Sequence, residues 1–286
     1  MALAYPRRMV HRGIESTARL RHANKELGSR TPGGDKEFWQ QVGEEFPDLA
    51  GAASTRYYRD NEIRLFEEHF GTLAGQSLFK TDLWDEAKNT RILQSAQKMG
   101  ARVFGIDLSA PILRQARAGF GEAALGAAVA DVRRLPFAAS SFDAIYSMGT
   151  IEHFRDPETA LHELFRVLKG QGRAIIGVPN LHDPFLRPLL VATLRTFGLY
   201  AYGYERAFSR RQLREMLEAT GFEVVSETAI LFIPGWLRML DLWCHVHAPL
   251  LASLTARAVE LFASLDRQVP FVRRFGYLLA TVVRKP

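Results

Sequence analysis

A chain of 286 residues with 47% hydrophobic and 24% charged residues is long and apolar enough to bury a large core. Its single cysteine, Cys244, excludes a disulfide framework and favours a reducing compartment, so we expect a cytoplasmic protein. Residues 1–30 carry +5 of the net charge of +6, and the nearly neutral remainder argues against a nucleic-acid groove in the core.

The first 74 residues are predicted to precede the main fold. Residues 1–35 form a basic arm that ends at the breaker TPGGD, and we expect either a solvated terminus or peripheral contact with an anionic membrane. Residues 36–74 form a helical cap, because large apolar side chains recur there at helical spacing. The stretch STRYYRDNE at 54–62 is predicted to lie between two helices, and its tyrosines either pack in the core or cover a ligand. We expect no signal peptide and no membrane span.

From residue 77 onward, short apolar strands alternate with helices. Seven strands are predicted, at 77–79, 101–107, 127–131, 142–148, 172–180, 222–233 and 275–286. Ser109, Asp156 and Ser209 are predicted to cap three of the helices, and Gly170 to end one of them. Repeated strand–helix–strand units with nearly all-apolar strands predict an α/β fold, a doubly wound parallel sheet covered by helices on both faces.

Two aromatic-rich insertions interrupt this alternation, at 181–208 and 234–270. The second contains His245 and His247, but a spacing of two does not place them on one face of a helix. No other group of His, Cys, Asp and Glu has ligand spacing, so no metal site is predicted.

Acidic residues are predicted near the carboxyl ends of the strands, where a doubly wound sheet binds its ligands. Asp107 ends the second strand, and its carboxylate can accept hydrogen bonds from two ribose hydroxyls. Asp131 ends the third strand, where its carboxylate or the neighbouring backbone can bind an adenine amino group. Glu152 and His153 follow the fourth strand. His153 either takes a proton from a hydroxyl acceptor or only structures the start of the next helix.

Three stretches resemble class I S-adenosylmethionine-dependent methyltransferases: ARVFGIDLSAPILRQAR, ADVRRLPFAASSFDAIYSMGTIEHFRDPETALHELFRVLKGQGRAIIGVPN and FSRRQLREMLEATGFEVV. The EH pair is similar to a branch with many small-molecule, lipid and quinone methyltransferases. The resemblance implies a Rossmann-like fold of seven mostly parallel strands, the last antiparallel beside the fifth, with S-adenosyl-L-methionine as cofactor. It also implies that Asp107 with Leu108 contacts the ribose and that Asp131 with Val132 contacts the adenine. The methionine end would contact Ser147, Met148 and Gly149.

The stretch GQSLFKTDLWDEAKNTRIL, at 75–93, departs from this family. The family's loop after the first strand is an acid followed by spaced glycines, which let backbone approach the cofactor closely. Here the loop has no glycine, and we predict a rebuilt site that includes Thr81. In it, Lys80 pairs with the methionine carboxylate, while Asp82 or Asp85 accepts hydrogen bonds from the ammonium. The alternative is a decayed site that binds no cofactor.

The predicted function is an S-adenosylmethionine-dependent methyltransferase that acts on oxygen or carbon of a small, apolar or lipid-like acceptor. Residues 75–286 form the methyltransferase domain, and the two insertions form its lid. Catalysis would come mainly from positioning and from the exclusion of water. Two alternatives remain open: a cofactor-binding enzyme with other chemistry, and a non-catalytic methyltransferase-like protein that binds a partner.

Overall fold

The structure, a computed structural model, describes residues 34–121, 125–198, 200 and 202–286. The predicted basic arm lies outside these residues except for its last two positions, which already belong to helix α1, Gly34–Glu45. Helix α2, Ala53–His69, completes the helical region before the sheet. The prediction that 54–62 separates two helices is wrong, because this stretch lies within α2.

Seven strands form one sheet. They are β1 Ser77–Lys80, β2 Arg102–Asp107, β3 Leu125–Val129, β4 Phe142–Met148, β5 Leu168–Pro179, β6 Glu223–Ile230 and β7 Leu278–Arg284. Their order is β3-β2-β1-β4-β5-β7-β6. Strands β1 to β5 pair in parallel, whereas β7 is antiparallel to both of its neighbours. The predicted doubly wound, mostly parallel sheet with an antiparallel seventh strand is confirmed.

Helices cover both faces of this sheet. In chain order after α2 they are α3 Trp84–Lys88, α4 Ile92–Lys98, α5 Ala110–Ala118, α6 Pro157–Val167, α7 Arg187–Thr196, α8 Arg210–Thr220, α9 Gly235–His247 and α10 Pro249–Gln268, with short 3-10 helices at Ile151–His153 and Pro270–Arg274. Two predicted caps are confirmed, since Ser109 accepts from the amide of Ile112 at 3.4 Å and Ser209 from that of Gln212 at 3.2 Å. Asp156 precedes α6 but accepts no backbone amide there. No helix among the described residues combines the length and hydropathy that a membrane crossing requires.

Two predicted element ends are wrong for identifiable reasons. β3 ends at Val129, because Asp131 turns the chain by accepting the amide of Arg133 at 2.8 Å. Gly170 does not end α6; it lies within β5, which begins at Leu168. A register shift between β4 and β5 places this glycine in an irregular part of the pairing, and local sequence does not reveal such long-range pairing.

Neighbouring side chains along each strand pack into opposite halves of the core. Leu78 packs with Phe66 and Tyr146 on one face, and Phe79 packs with Ile145 on the other, as the two-residue period of a strand requires.

Helix α2 and the insertion at 234–270 cover the same region of the sheet. Asp241 in α9 accepts from the amide of Ser54 at 2.8 Å, and Asp266 in α10 pairs with Arg64 at 3.1 Å. These contacts join the helical cap to the insertion, so the two form one roof.

Candidate active site

A cavity of ≈ 330 Å³ lies where β1, β2, β4 and β5 end, within the size range of small-molecule sites. Its wall includes most of the predicted site residues: Thr81, Asp82, Asp85, Asp107, Leu108, Val132, Met148, Gly149, Glu152 and His153. Three predicted residues, Lys80, Asp131 and Ser147, are not in this wall. The topology therefore collects residues from many segments in one crevice, as expected at the switch point between β1 and β4.

The prediction that Lys80 reaches into the cavity is wrong. Its Nζ donates to the Asp82 carbonyl at 3.2 Å, to Asp82 Oδ1 at 3.0 Å and to Asp85 Oδ2 at 3.2 Å, which uses all three donors of an ammonium. The side chain is fully buried. Burial alone would lower the pKa of Lys80, but the charges of Asp82 and Asp85 raise this pKa above its usual range. Lys80 is therefore a charged internal support for the residues that face the cavity.

Hydroxyl groups extend this support across the first loop, residues 81–86. Thr150 donates to Asp82 Oδ2 at 2.8 Å, and Thr81 Oγ1 lies 2.8 Å from Thr150 Oγ1 and 3.0 Å from Ser147 Oγ. Ser147 is fully buried, so it contacts the loop and not the cavity. Side-chain hydrogen bonds hold this loop in place of the tight, glycine-rich turn that the resemblance leads one to expect.

The other end of the first loop is fixed to the helical cap. Asn89 donates to Asp85 Oδ1 at 2.8 Å, and Thr55 in α2 donates to Asn89 at 2.8 Å. Glu86, the last residue of this loop, does not line the cavity; it accepts the amide of Leu93 at 3.0 Å, and burial raises the pKa of Glu86 to about 8. Glu86 is thus mostly neutral at pH 7, and the ion cluster comprises Lys80 with two aspartates, which leaves a net negative wall.

Asp107 lies in the wall as predicted, with partners on both oxygens. Oδ2 accepts the amide of Leu83 at 3.0 Å, and Oδ1 accepts the amide of Ser109 at 2.7 Å. Each oxygen retains a second lone pair for a ligand hydroxyl. Burial raises the pKa of Asp107 to about 7, although both amide hydrogen bonds lower it.

Asp131 is placed differently from the prediction. Its carboxylate forms a bidentate pair with Arg133, with Nη2 to Oδ2 at 2.6 Å and Nε to Oδ1 at 3.0 Å. Val132, however, lines the cavity. The sequence suggested two groups that could contact adenine. The backbone near Val132 lies at the cavity, whereas the Asp131 carboxylate is paired with Arg133 and does not.

His153 has a defined tautomer. Its Nδ1 lies 2.7 Å from the carbonyl oxygen of Tyr204, and a carbonyl only accepts, so Nδ1 carries the proton and Nε2 carries the lone pair. Burial lowers the pKa of His153, although the charge of Glu205 raises it. The ring packs edge-on against Trp39, with centroids 5.1 Å apart. A neutral imidazole with a free lone pair therefore lines the cavity at neutral pH.

Glu152 lies beside this imidazole, with Oε1 4.0 Å from His153 Nε2. Its other oxygen, Oε2, is buried and has no hydrogen-bond partner among the described residues. Burial raises the pKa of Glu152 well above its usual range, and the nearby charge of Glu205 raises it further. Glu152 is therefore a neutral carboxylic acid in the wall, able to donate a hydrogen bond to a ligand.

Sequence reasoning missed a buried ion pair and a cation in the roof. Arg187 binds Glu205 in a bidentate pair, with Nη1 to Oε1 at 2.5 Å and Nη2 to Oε2 at 3.0 Å, and Tyr200 donates to the same carboxylate. Arg238 of α9 also lines the cavity. The only signal in the sequence was the presence of charged residues inside two aromatic-rich insertions.

Residues 87–176 match a family model described as a methyltransferase domain. These residues are therefore similar to a methyltransferase domain. The match bears out the predicted resemblance, and the order of the seven strands bears out the predicted fold. The whole first loop, including Asp82 and Asp85, precedes the matched residues. The family model therefore does not cover the loop that departs from the family pattern.

Relatives of this methyltransferase domain differ in the atom named as acceptor. O-methyltransferase resE of Aspergillus sclerotiorum is 30% identical over 142 residues, 48% of this chain and 52% of the relative. The ubiquinone/menaquinone biosynthesis C-methyltransferase UbiE of Methylococcus capsulatus is 27% identical over 149 residues, 44% of this chain and 60% of the relative. The chain thus spans about half the length of the curated relatives it matches.

A solved structure shows the same fold. The S-adenosylmethionine-dependent methyltransferase from Mesorhizobium loti superposes with a TM-score of 0.54 at 15% identity, and the match covers 82% of this chain and 99% of that chain. At this identity the likeness concerns the fold alone.

Proposed function

We propose that this protein uses S-adenosyl-L-methionine to methylate a small acceptor whose oxygen or carbon nucleophile must lose a proton. The observation that carries the proposal is the geometry of His153. Its Nδ1–H is held by the carbonyl of Tyr204, so the lone pair of Nε2 is available to a ligand beside Gly149 and Met148. A base whose pKa lies below its ordinary value is unprotonated at neutral pH and ready to accept a proton.

The protein also provides for the charge that this proton transfer creates. An imidazolium at His153 would keep its hydrogen bond to Tyr204 and would gain from the negative charge of Glu205. Arg187 keeps Glu205 ionised: burial would raise the pKa of Glu205, but the bidentate guanidinium lowers it below its usual range. Residues of the first insertion therefore stabilise the charged form of the base, which lies in the 3-10 helix after β4.

The cavity wall fits the proposed cofactor in three places. Asp107 has free lone pairs for the ribose hydroxyls, the chain at Val132 lies where adenine would bind, and Asp82 with Asp85 offers carboxylate oxygens to the ammonium. When bound, the cofactor would supply an electrophilic methyl group. The residues of this chain would orient it, exclude water and hold the nucleophile in line.

Aromatic and aliphatic side chains form much of the remaining cavity wall. They come from the helical cap and both insertions, and they include Trp39, Phe46, Tyr200, Tyr202, Met239, Leu242 and Trp243. Such a surface favours an acceptor with an apolar or planar body, whose polar nucleophile would lie between Glu152 and His153. We therefore propose a phenol, an enol or a lipid-like quinol as the acceptor class.

Titration calorimetry with S-adenosylmethionine, followed by transfer of a labelled methyl group to a panel of phenols and quinols, tests this function. His153→Gln should lower the transfer rate about 100-fold while leaving cofactor affinity unchanged, because a general base acts in the chemical step. The exposed His182 provides the control variant His182→Gln. Cofactor binding without transfer to any acceptor would favour the alternative of other chemistry. No binding of the cofactor would favour the non-catalytic alternative and refute the proposal.

A further inference from the structure

We propose that Arg238 binds the carboxylate at the amino-acid end of the cofactor, the role that the sequence suggested for Lys80. This inference rests on the proposed function, since it presumes S-adenosylmethionine as the ligand. It adds a binding residue from the roof of the cavity, on α9 of the second insertion, to those that the strands provide.

Arg238 is a half-buried guanidinium with unused hydrogen-bonding capacity. Its Cζ lies 5.2 Å from the ring centroid of Tyr58 and 5.3 Å from that of Tyr277, so two aromatic faces hold it in position. Its Nε is buried and has no hydrogen-bond partner in the described part of the chain. A buried donor without a partner is costly, and a ligand in the adjacent cavity would satisfy it.

Two other cationic side chains, one in the wall and one behind it, already have their hydrogen-bond partners. Arg187 is in a bidentate pair with Glu205 and packs over Tyr277 at 4.3 Å. Lys80 gives all three hydrogens to the first loop. Arg238 forms no ion pair with any described residue, although its planar fork matches the two oxygens of a carboxylate.

The surroundings of Tyr58 indicate that the carboxylate bound by Arg238 belongs to the amino-acid end of the cofactor. Tyr58 lines the cavity between Arg238 and the acids of the first loop, and the phenol lies within electrostatic reach of both. The amino-acid end of the cofactor is a zwitterion, which needs an anionic and a cationic partner close together. Asp82 and Asp85 supply the first, and Arg238 supplies the second. In the usual family loop, glycine amides approach this end, and here those glycines are missing.

Two ligands that differ only at the amino-acid end test the inference. S-adenosylhomocysteine carries the carboxylate and the ammonium, whereas 5′-methylthioadenosine lacks both. Arg238→Met, which keeps the apolar stem, should weaken S-adenosylhomocysteine about 10- to 100-fold and leave 5′-methylthioadenosine unchanged, as expected for charge-assisted hydrogen bonds to one group. Arg257→Met, on the exposed face of α10, is the matched control and should change neither affinity.

The other outcomes would overturn the inference in distinguishable ways. If parent and variant bind S-adenosylhomocysteine with equal affinity, Arg238 does not contact the cofactor, and the proposed function is unaffected. If the variant then loses only the transfer to an anionic acceptor, Arg238 binds the acceptor instead. Equal weakening of both ligands indicates a general distortion of the cavity. Failure of the parent to bind S-adenosylhomocysteine or S-adenosylmethionine refutes the proposed function itself. If Arg238→Met does not fold, Arg238→Lys, which keeps the charge without the fork, should show the same ligand selectivity with a smaller loss.

Discussion

Replacement of Lys80 by methionine should destabilise the protein strongly. The methionine keeps the length and the apolar stem of the side chain but removes an ammonium that is fully buried between Asp82 and Asp85. Three hydrogen bonds disappear and two acceptor groups of the first loop lose their counter-charge. Removal of one partner of a buried ion pair typically costs about 3–5 kcal/mol, and we expect a loss of that order in the free energy of unfolding.

The size of this loss should depend on pH. Without the ammonium, the pKa of Asp82, which burial already raises, rises further, so the folded state keeps a proton that the unfolded state has already released at the same pH. A carboxyl group with a raised folded-state pKa costs stability as pH rises through that value. The deficit of Lys80→Met should therefore be smaller at pH 5 than at pH 8.

Urea unfolding followed by tryptophan fluorescence, at both pH values, measures this deficit. Lys98→Met provides the control, because Lys98 is exposed at the end of α4 and its loss should change stability little. The triple variant Lys80→Met, Asp82→Asn, Asp85→Asn should recover part of the loss, since it removes the stranded charges as well. A deficit below about 1 kcal/mol for Lys80→Met, the range of an exposed ion pair, would refute the assignment of Lys80 as a buried support.

Further expectations concern the ribose contact, the base, the arm and a helix cap. Asp107→Asn should weaken cofactor binding about tenfold, and parent affinity should fall as pH drops below the Asp107 pKa of about 7; calorimetry at pH 6 and 8 measures both. In a pH–rate profile, the parent's transfer rate should rise with pH as His153 loses its proton. Because the pKa of His153 is lowered, the rate should already reach its plateau at a pH below 6.5. Deletion of residues 1–30 should abolish any salt-sensitive co-sedimentation with anionic liposomes. Ser209→Ala should lower stability by about 1 kcal/mol in urea unfolding, because it breaks a capping box.

Local sequence predicted the parts of the fold that local physics determines. The bounds of β4 were predicted to the residue, because a buried parallel strand between turns is a short, nearly continuous apolar run. The caps at Ser109 and Ser209 were predicted for the same reason, since the cap and its amide lie three residues apart. The errors at β3 and Gly170 arise from a side-chain turn and from the register between strands.

The positions of site residues were predicted correctly at the ends of strands. They were missed where segments distant in the sequence meet. Asp107 and His153 line the cavity because each lies at or just beyond the carboxyl end of a strand. Lys80 was misplaced because its orientation depends on how the following loop folds back over it. Arg238 was missed because its neighbours come from α2 and from the chain before β7, which are adjacent only in the folded protein.

The net negative wall of the first loop should also discriminate between the charge states of the cofactor. S-adenosylmethionine carries a sulfonium cation that S-adenosylhomocysteine lacks, and Asp82 faces the cavity where the methionine end is proposed to lie. Two unit charges 8 Å apart interact by about 2 kcal/mol at an effective dielectric constant near 20, enough to change an affinity ratio about tenfold or more. Asp82→Asn should therefore lower the ratio of S-adenosylmethionine to S-adenosylhomocysteine affinity about tenfold.

The matched control for this ratio is Asp131→Asn, whose carboxylate is paired with Arg133 and does not line the cavity. Any effect of that change on the adenine region acts on both ligands alike, because they share the nucleoside, so the ratio should stay constant. Parallel titrations of parent and both variants at fixed ionic strength give the three ratios. If Asp82→Asn weakens both ligands equally, Asp82 contributes to the shape of the first loop or to the ammonium, and its charge does not select the sulfonium. A ratio that falls only for Asp82→Asn would show that the acids that replace the glycines also favour the substrate over the product.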